Sequence, residues 1–180
     1  PLNHVNASQS TNDVYPTAIR VSMIIEIRAL LTEVAFLRKA IDAKALEFAE
    51  VLKMGRTQLQ DAVPMTLGQE FAAWSQTLSE DEGRLHEMIP LLSEINLGGT
   101  AIGTKLNTPD GYSQLVCEIL SEICEHNFTP AVNLIEATSD TGVFVSVSST
   151  FKRLATKLSK ISNDLRLLSS GPRAGINEIN

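Results

Sequence analysis

Ten consecutive residues, Ser8-Gln9-Ser10-Thr11-Asn12-Asp13-Val14-Tyr15-Pro16-Thr17, gather hydroxyls, amides and one carboxylate, then run straight into a long apolar-periodic segment. Short polar side chains of this kind accept hydrogen bonds from the unpaired N–H groups of a first helical turn. A helix start also presents those N–H groups, and the positive end of the helix dipole, to any anion nearby. The stretch supports two readings, a plain helix cap and a helix start that holds a carboxylate. Caps are the commoner of the two, and residue types alone leave both open.

Two more polar breaks carry chemistry-bearing side chains. Lys53 to Pro64 reads Lys-Met-Gly-Arg-Thr-Gln-Leu-Gln-Asp-Ala-Val-Pro, a loop bracketed by Gly55 and Pro64. Arg56 within it is placed either against Asp61, against a helix carboxyl end, or on a ligand. Leu97 to Asn107 is rich in glycine, but Thr104 separates Gly103 from Lys105 and no strand precedes the run, so it is not a nucleotide-phosphate loop. His4, His86 and His126 have no partners at metal-ligand spacing and are assigned surface or packing roles. Glu70, Glu136 and Asp140 read as solvated or interhelical helix residues. No metal and no cofactor is expected.

The elements that must position these breaks are helical. Ile19, Met23, Ile27, Leu30, Val34, Leu37, Ile41, Ala45, Phe48 and Leu52 step by threes and fours, as one helix or as two with a break near Leu30 to Glu33. Pro16 is tolerable only close to the start of that helix. Thr66 and Gln69 have capping-box spacing and open a second helix, whose stripe runs from Leu67 to about Leu97. Asp81 and Glu82 interrupt that stripe and are expected to face solvent or a partner subunit. A short helix follows from about Tyr112 to Glu125. The most regular segment is the last: Phe144, Val147, Phe151, Leu154, Leu158, Ile161, Leu165 and Leu168 form an unbroken heptad seam that ends at Gly171-Pro172.

No period-two strand pattern of useful length is present. The predicted fold is all-α, a long antiparallel helix bundle with polar loops, in one domain spanning residues 1–180. Helices this long, with apolar seams, need more than one chain to cover them, which predicts an oligomer. A formal net charge of -6 without a dense Lys/Arg cluster argues against a nucleic-acid partner, and no stretch approaches the roughly 20 apolar residues of a membrane span. Cys117 and Cys124 are seven apart on one predicted helix, hence ~10 Å apart along its axis and too far for a mutual disulfide. Two reduced, buried thiols point to a cytoplasmic location.

Taken together, the three breaks resemble the signature motifs of the aspartase/fumarase superfamily. Gln9 to Thr17 is similar to its first motif and Gly55 to Glu70 to its second. Gly98-Gly99-Thr100-Ala101-Ile102-Gly103-Thr104 and Asp164 to Arg173 match as well, so the likeness covers essentially the whole chain. Ser-Thr-Asn at Ser10 to Asn12, and Gln58 after Thr57, resemble the aspartate-deaminating branch; fumarases more usually read Ser-Ser-Asn and carry His after the threonine. The superfamily's Gly-Ser-Ser-x-Met-Pro-x-Lys-x-Asn loop is absent. The chain is thus expected to be the central part of a longer enzyme, cut before the loop that supplies the general-base serine, which would lie beyond Asn180. The family's usual His-Pro-Asn-Asp-His-Val-Asn run is Pro1-Leu2-Asn3-His4-Val5-Asn6 here.

What the resemblance implies is reversible elimination of ammonia from L-aspartate to give fumarate, with fumarate hydration or an inactive helical scaffold as alternatives. It implies that Ser10 and Thr11 hold the carboxylate beside the departing proton, that Asn12 and Thr57 hold the amino group, and that Gln58 reaches the other carboxylate. No role is carried over to Thr100 or Lys105. The family's homotetramer assembles each active site from three subunits. Without the general-base loop the chain alone is expected to be inactive.

Overall fold

The first apolar stripe folds as one unbroken helix, α1 (Thr11–Glu47), with no break near Leu30. The apolar side chains it buries are Ile24, Ile27, Leu31, Val34 and Ile41, so the inward face lies partly off the stripe expected from spacing, and Leu37 stays exposed. Pro16 sits inside α1, beyond the first turn. Its missing N–H leaves the Asn12 carbonyl without a helical donor. That carbonyl accepts instead from Asn96 Nδ2 at 3.0 Å. A cross-link from elsewhere in the chain replaces the bond that proline removes.

A computed structural model describes residues 3–179, which fall into two units. The first takes the described residues of Pro1–Leu30 together with Leu85–Val147; the second takes Leu31–Arg84 with those of Ser148–Asn180. Three long helices contribute to both: α1, α2 (Leu67–Ser93) and α5 (Gly142–Leu168). The first unit adds α3 (Tyr112–Cys124) and the short α4 (Leu134–Ser139). Its strands β3 (Glu94–Ile95) and β4 (Thr129–Pro130) pair in parallel, and Ala131 N–H donates to the Ile95 carbonyl at 2.8 Å. Buried Leu92, Ile95, Phe128 and Leu134 anchor this part. Cys117 is fully buried there, which pushes its thiol up to about 11, and Cys124 is half-buried; both are free.

The second unit corrects the expectation of a loop at 53–64. Strands β1 (Leu52–Thr57) and β2 (Gln60–Thr66) form an antiparallel hairpin. Its two turn residues, Gln58 and Leu59, both have positive φ, 52° and 63°, the hand that matches strand twist in a two-residue hairpin. The register shifts between Met54 and Arg56, around buried Gly55. Most hairpin side chains are exposed, and Pro64 stands within β2. The alternating pattern that would have announced the strands is therefore missing.

The capping box at the start of α2 forms as spaced: Thr66 N–H donates to Gln69 Oε1 at 3.0 Å, and Gln69 N–H to Thr66 Oγ1 at 3.2 Å. Gly68 follows because a Cβ there would stand 2.5 Å from the Ala45 carbonyl oxygen. Along α5, Leu154, Ile161 and Leu168 are buried and Phe151, Leu158 and Leu165 half-buried, so the predicted seam faces inward.

Asp81 is a second correction. It does not face solvent but is 1% exposed, with Arg153 Nε 3.0 Å from Oδ1 and Lys157 Nζ 3.2 Å from Oδ2. Burial of a charge at a stripe position is offset by two cations from α5. Glu82 pairs with Arg38 at 2.9 Å.

A further charged knot holds the hairpin. Lys53, whose side chain is 4% exposed, pairs with Glu70 and with Glu178 Oε1, the latter at 3.0 Å. Arg56 Nη1 reaches Glu178 Oε2 at 2.6 Å, so its partner is neither Asp61 nor a helix end. Burial alone would raise the Glu178 carboxyl, but Lys53 and Arg56 outweigh it and hold the group below the usual glutamate range. A carboxyl depressed in the folded state contributes stability that is complete above its unfolded value, about 4.3, and lost as pH falls through the folded value. Urea titrations from neutral to acid pH should show the denaturation midpoint falling across that window. In Glu178→Gln the midpoint should be lower at neutral pH and the acid-side fall shallower. An unchanged acid slope would show that Glu178 does not contribute to it.

Candidate active site

The first unit builds its polar centre around the start of α1. Ser10 is the cap residue: its Oγ accepts from Asn12 N–H at 3.2 Å, while Asp13 Oδ1 accepts from Ser10 N–H at 2.9 Å. This is a reciprocal capping arrangement, with aspartate three residues on. The other Asp13 oxygen accepts two more backbone donors, Gly98 N–H at 3.2 Å and Thr100 N–H at 2.8 Å. Asp13 has no exposed surface. One buried carboxylate thus joins the helix start to the glycine-rich loop. Gly98 is required at its position twice over: φ is +88°, and a Cβ would lie 2.4 Å from Ser113 Oγ.

Asn12 completes the join. Its Nδ2 donates to the Ala101 carbonyl at 2.7 Å. Because a carbonyl only accepts, this contact fixes the amide orientation and leaves Oδ1 as an exposed acceptor. Asn96, 2% exposed, donates from Nδ2 to both the Asn12 carbonyl and Thr138 Oγ1. Ser8 Oγ donates to the Asn107 carbonyl at 2.9 Å and draws the far end of the loop toward the residues before α1.

These contacts leave two open depressions at the helix start. One, of about 580 Å³, is lined by Asn6, Gln9, Ser10, Thr11, Val14 and Tyr15. The other, of about 530 Å³, is lined by Ser8, Gln9, Ser10, Thr100, Ala101 and Asn107 among others. Thr11 is exposed, and among the described residues its side chain has no hydrogen-bond partner. Its N–H is one of the first-turn donors that a helix leaves without an internal acceptor. Carboxylates bind well to such a grouping of N–H and O–H donors.

Thr57 and Gln58 belong to the second unit, where they form the hairpin tip. Thr57 ends β1 opposite Gln60, and Gln58 is the first turn residue. Both are exposed, and among the described residues neither side chain has a partner. Gln58 also borders a depression of about 340 Å³ shared with Lys53, Arg56, Lys160 and Asp164. The five expected substrate contacts therefore fall as three in one unit and two in the other.

The histidines act structurally or lie exposed. His126 sits between Arg28, whose Nη2 is 2.7 Å from Nδ1, and Ser93 Oγ, 2.8 Å from Nε2. Arginine can only donate, so Nδ1 accepts and the ring is the neutral Nε2–H form. Desolvation, then the Arg28 charge, lowers its pKa accordingly. His4 and His86 are exposed. Glu70 is bound to Lys53, Asp140 closes α4, and Glu136 is exposed on it.

Residues 1–180 match a protein-family model described as Lyase. The chain belongs to this lyase family. Aspartate ammonia-lyase from Pseudomonas aeruginosa is 61% identical over 181 residues, covering all of this chain and 38% of that protein. Aspartate ammonia-lyase from Escherichia coli K12 is 56% identical over 180 residues, again with 38% of the relative covered. This lyase chain thus spans under two fifths of the length of these relatives. Among solved structures, fumarate lyase:delta crystallin from Brucella melitensis bound to cobalt superposes with a TM-score of 0.95 at 53% identity, over 97% of this chain and 38% of that one. Class II fumarase from Schistosoma mansoni gives 0.93 at 34% identity, over 96% and 40%. The all-α class and the aspartase/fumarase likeness both stand, and the hairpin is a short addition to a helical domain.

Sequence reasoning overlooked Asp13 and Asn96 as the residues that set the site. The spacing of Ser10 and Asp13 is that of a capping box and signals one of Asp13's bonds, but nothing local signals the two to the distant loop. Asp13→Ala leaves three N–H groups without an acceptor, two of them buried and that of Ser10 half-buried, and each buried one costs about 1–3 kcal/mol. Equilibrium denaturation should show a loss of at least about 2 kcal/mol, against under ~1 kcal/mol for Thr11→Ala at an exposed, unbonded position.

Proposed function

We propose that the protein is an aspartate ammonia-lyase, eliminating ammonia from L-aspartate to give fumarate, with Ser10, Thr11, Asn12, Thr57 and Gln58 as its substrate contacts. The observation that carries this reading is the 61% identity to the Pseudomonas aeruginosa aspartate ammonia-lyase along the whole chain, against 34% for the Schistosoma mansoni fumarase.

The reaction removes a weakly acidic proton from the carbon beside one carboxylate. The electron pair left behind spreads into that carboxylate as a doubly charged aci form. It then returns to make the carbon–carbon double bond as the C–N bond breaks and ammonia departs from the neighbouring carbon. The costly state carries extra negative charge on the carboxylate, so donors fixed in advance around it supply most of the rate. Ser10 Oγ–H and the Thr11 hydroxyl and N–H suit that position, beside the dipole of α1. Asn12 Oδ1, left as an acceptor once Nδ2 is engaged by Ala101, suits the amino group, which can only donate while it is an ammonium. The Thr57 hydroxyl accepts from the amino group, and the Gln58 amide donates to the other carboxylate.

The general base on this reading is the serine of the superfamily's Gly-Ser-Ser-x-Met-Pro-x-Lys-x-Asn loop. The working enzyme is a cytoplasmic homotetramer whose subunits share their sites. Exposed Phe36, Leu46 and Ile123, at 72%, 80% and 74%, are apolar surface that such an assembly would cover.

The deciding assay follows fumarate absorbance with the full-length protein, once on L-aspartate and once on L-malate. Turnover of aspartate is expected; turnover of malate alone would make it a fumarase instead. Thr11→Val should cut kcat/KM by about 10²-fold with unchanged thermal stability, the scale of losing one transition-state donor. Thr57→Val removes an acceptor for the ammonium and should cut it about ten- to a hundredfold, the scale of one hydrogen bond to a charged group, again with unchanged thermal stability. Wild-type kinetics in both variants would remove these residues from the site.

A further inference from the structure

Thr100 stands in the left-handed region with φ 60°, although it is β-branched. Crowding of the branched Cβ makes this conformation costly for threonine, and glycine, which already fills Gly98 and Gly99, would take it without strain. The conformation is imposed from outside: Thr100 N–H is held by the buried Asp13 carboxylate at 2.8 Å, and the next residue's carbonyl is held by Asn12 at 2.7 Å. Thr100 is 7% exposed and lines the depression of about 530 Å³ that Ser10 and Gln9 also line. Among the described residues its hydroxyl has no hydrogen-bond partner. Thr17, Thr108, Thr138 and Thr156, by contrast, each spend that hydroxyl on a nearby backbone carbonyl. Here strain is accepted, the hydroxyl stays unspent, and it borders the depression beside the Ser10 cap. Strain held in place by surrounding contacts is a mark of functional positions.

We propose that Thr100 is a further substrate-binding residue, its hydroxyl donating to the carboxylate that Ser10 holds, with Asp13 as the positioning residue that sets its backbone. The assignment rests on the proposed lyase reading. Its chemistry is that of a fixed neutral donor, which strengthens as negative charge builds on the carboxylate.

The test uses the full-length enzyme with Thr100→Gly, Thr100→Val and Thr100→Ser, read by melting temperature and by kcat and KM on L-aspartate. Glycine relieves the strain and removes the hydroxyl, so its melting temperature should hold or rise while kcat/KM falls about ten- to a hundredfold, the loss expected for one hydrogen bond to a charged group. Valine keeps the shape and the strain and should lose activity to the same extent. Serine keeps the donor and should recover most of kcat/KM. Wild-type activity with unimpaired Thr100→Val would overturn the Thr100 assignment alone, whether or not the glycine variant folds. A wild-type enzyme that turns over neither aspartate nor malate would overturn the functional reading, and this assignment with it.

Discussion

A carboxylate with no exposed surface accepts three backbone N–H bonds, and the first unit is arranged to make that tolerable. An isolated buried ion is expensive, and only hydrogen bonds or an opposite charge offset its lost hydration. Asp13 takes the first route. Its donors come from its own helix cap and from a loop some 85 residues further along the chain. The same bonds that satisfy the carboxylate leave the loop little freedom relative to the helix start. The flanking contacts tighten this: Asn12 holds Ala101, and Asn96 takes up the carbonyl that Pro16 frees. What remains unengaged, namely the Thr11 side chain, Asn12 Oδ1 and the Thr100 hydroxyl, is positioned by groups already spent on folding.

The second unit meets a similar demand with charge. Asp81 is buried against Arg153 and Lys157, and Lys53 against Glu70 and Glu178. Glu178 ties the segment after α5 to the hairpin through Arg56, the residue directly before Thr57. At the tip, Gln58 and Leu59 adopt positive φ without being glycine or asparagine. Such a turn persists only where the strands behind it are firmly fixed. The Arg56 and Lys53 pairs do that fixing, which leaves the Thr57 and Gln58 side chains free at an otherwise constrained end.

The helices were legible because their burial follows periodicity: the α5 seam from Val147 to Leu168 and the Thr66–Gln69 cap needed nothing beyond local spacing. The hairpin was not, because a two-stranded, mostly exposed ribbon buries no face and so carries no alternation. Asp81 misled for a related reason. A charged residue on an apolar stripe reads as a solvent-facing turn unless its cations are known, and these lie about 70 residues away on α5. The site divides along the same line. Ser10 to Asn12 announced themselves as a cap, and Thr57 with Gln58 drew notice only through motif likeness. Asp13's second role depends on contacts that no window of the sequence contains.

The helix start also bears on why neutral groups surround the proposed carboxylate. An arginine there would bind the resting carboxylate strongly through two parallel bonds, and most of that attraction would be present before any proton moved. Uniform binding of this kind lowers KM without helping the chemical step. Hydroxyls, first-turn N–H groups and a helix dipole bind the ground state more weakly and respond to the second unit of charge as it develops. Asp13, the charged residue at the centre of this cap, has both oxygens committed to backbone donors. Its negative charge is thereby turned to structural use, while the neighbouring side chains that face the depressions stay uncharged.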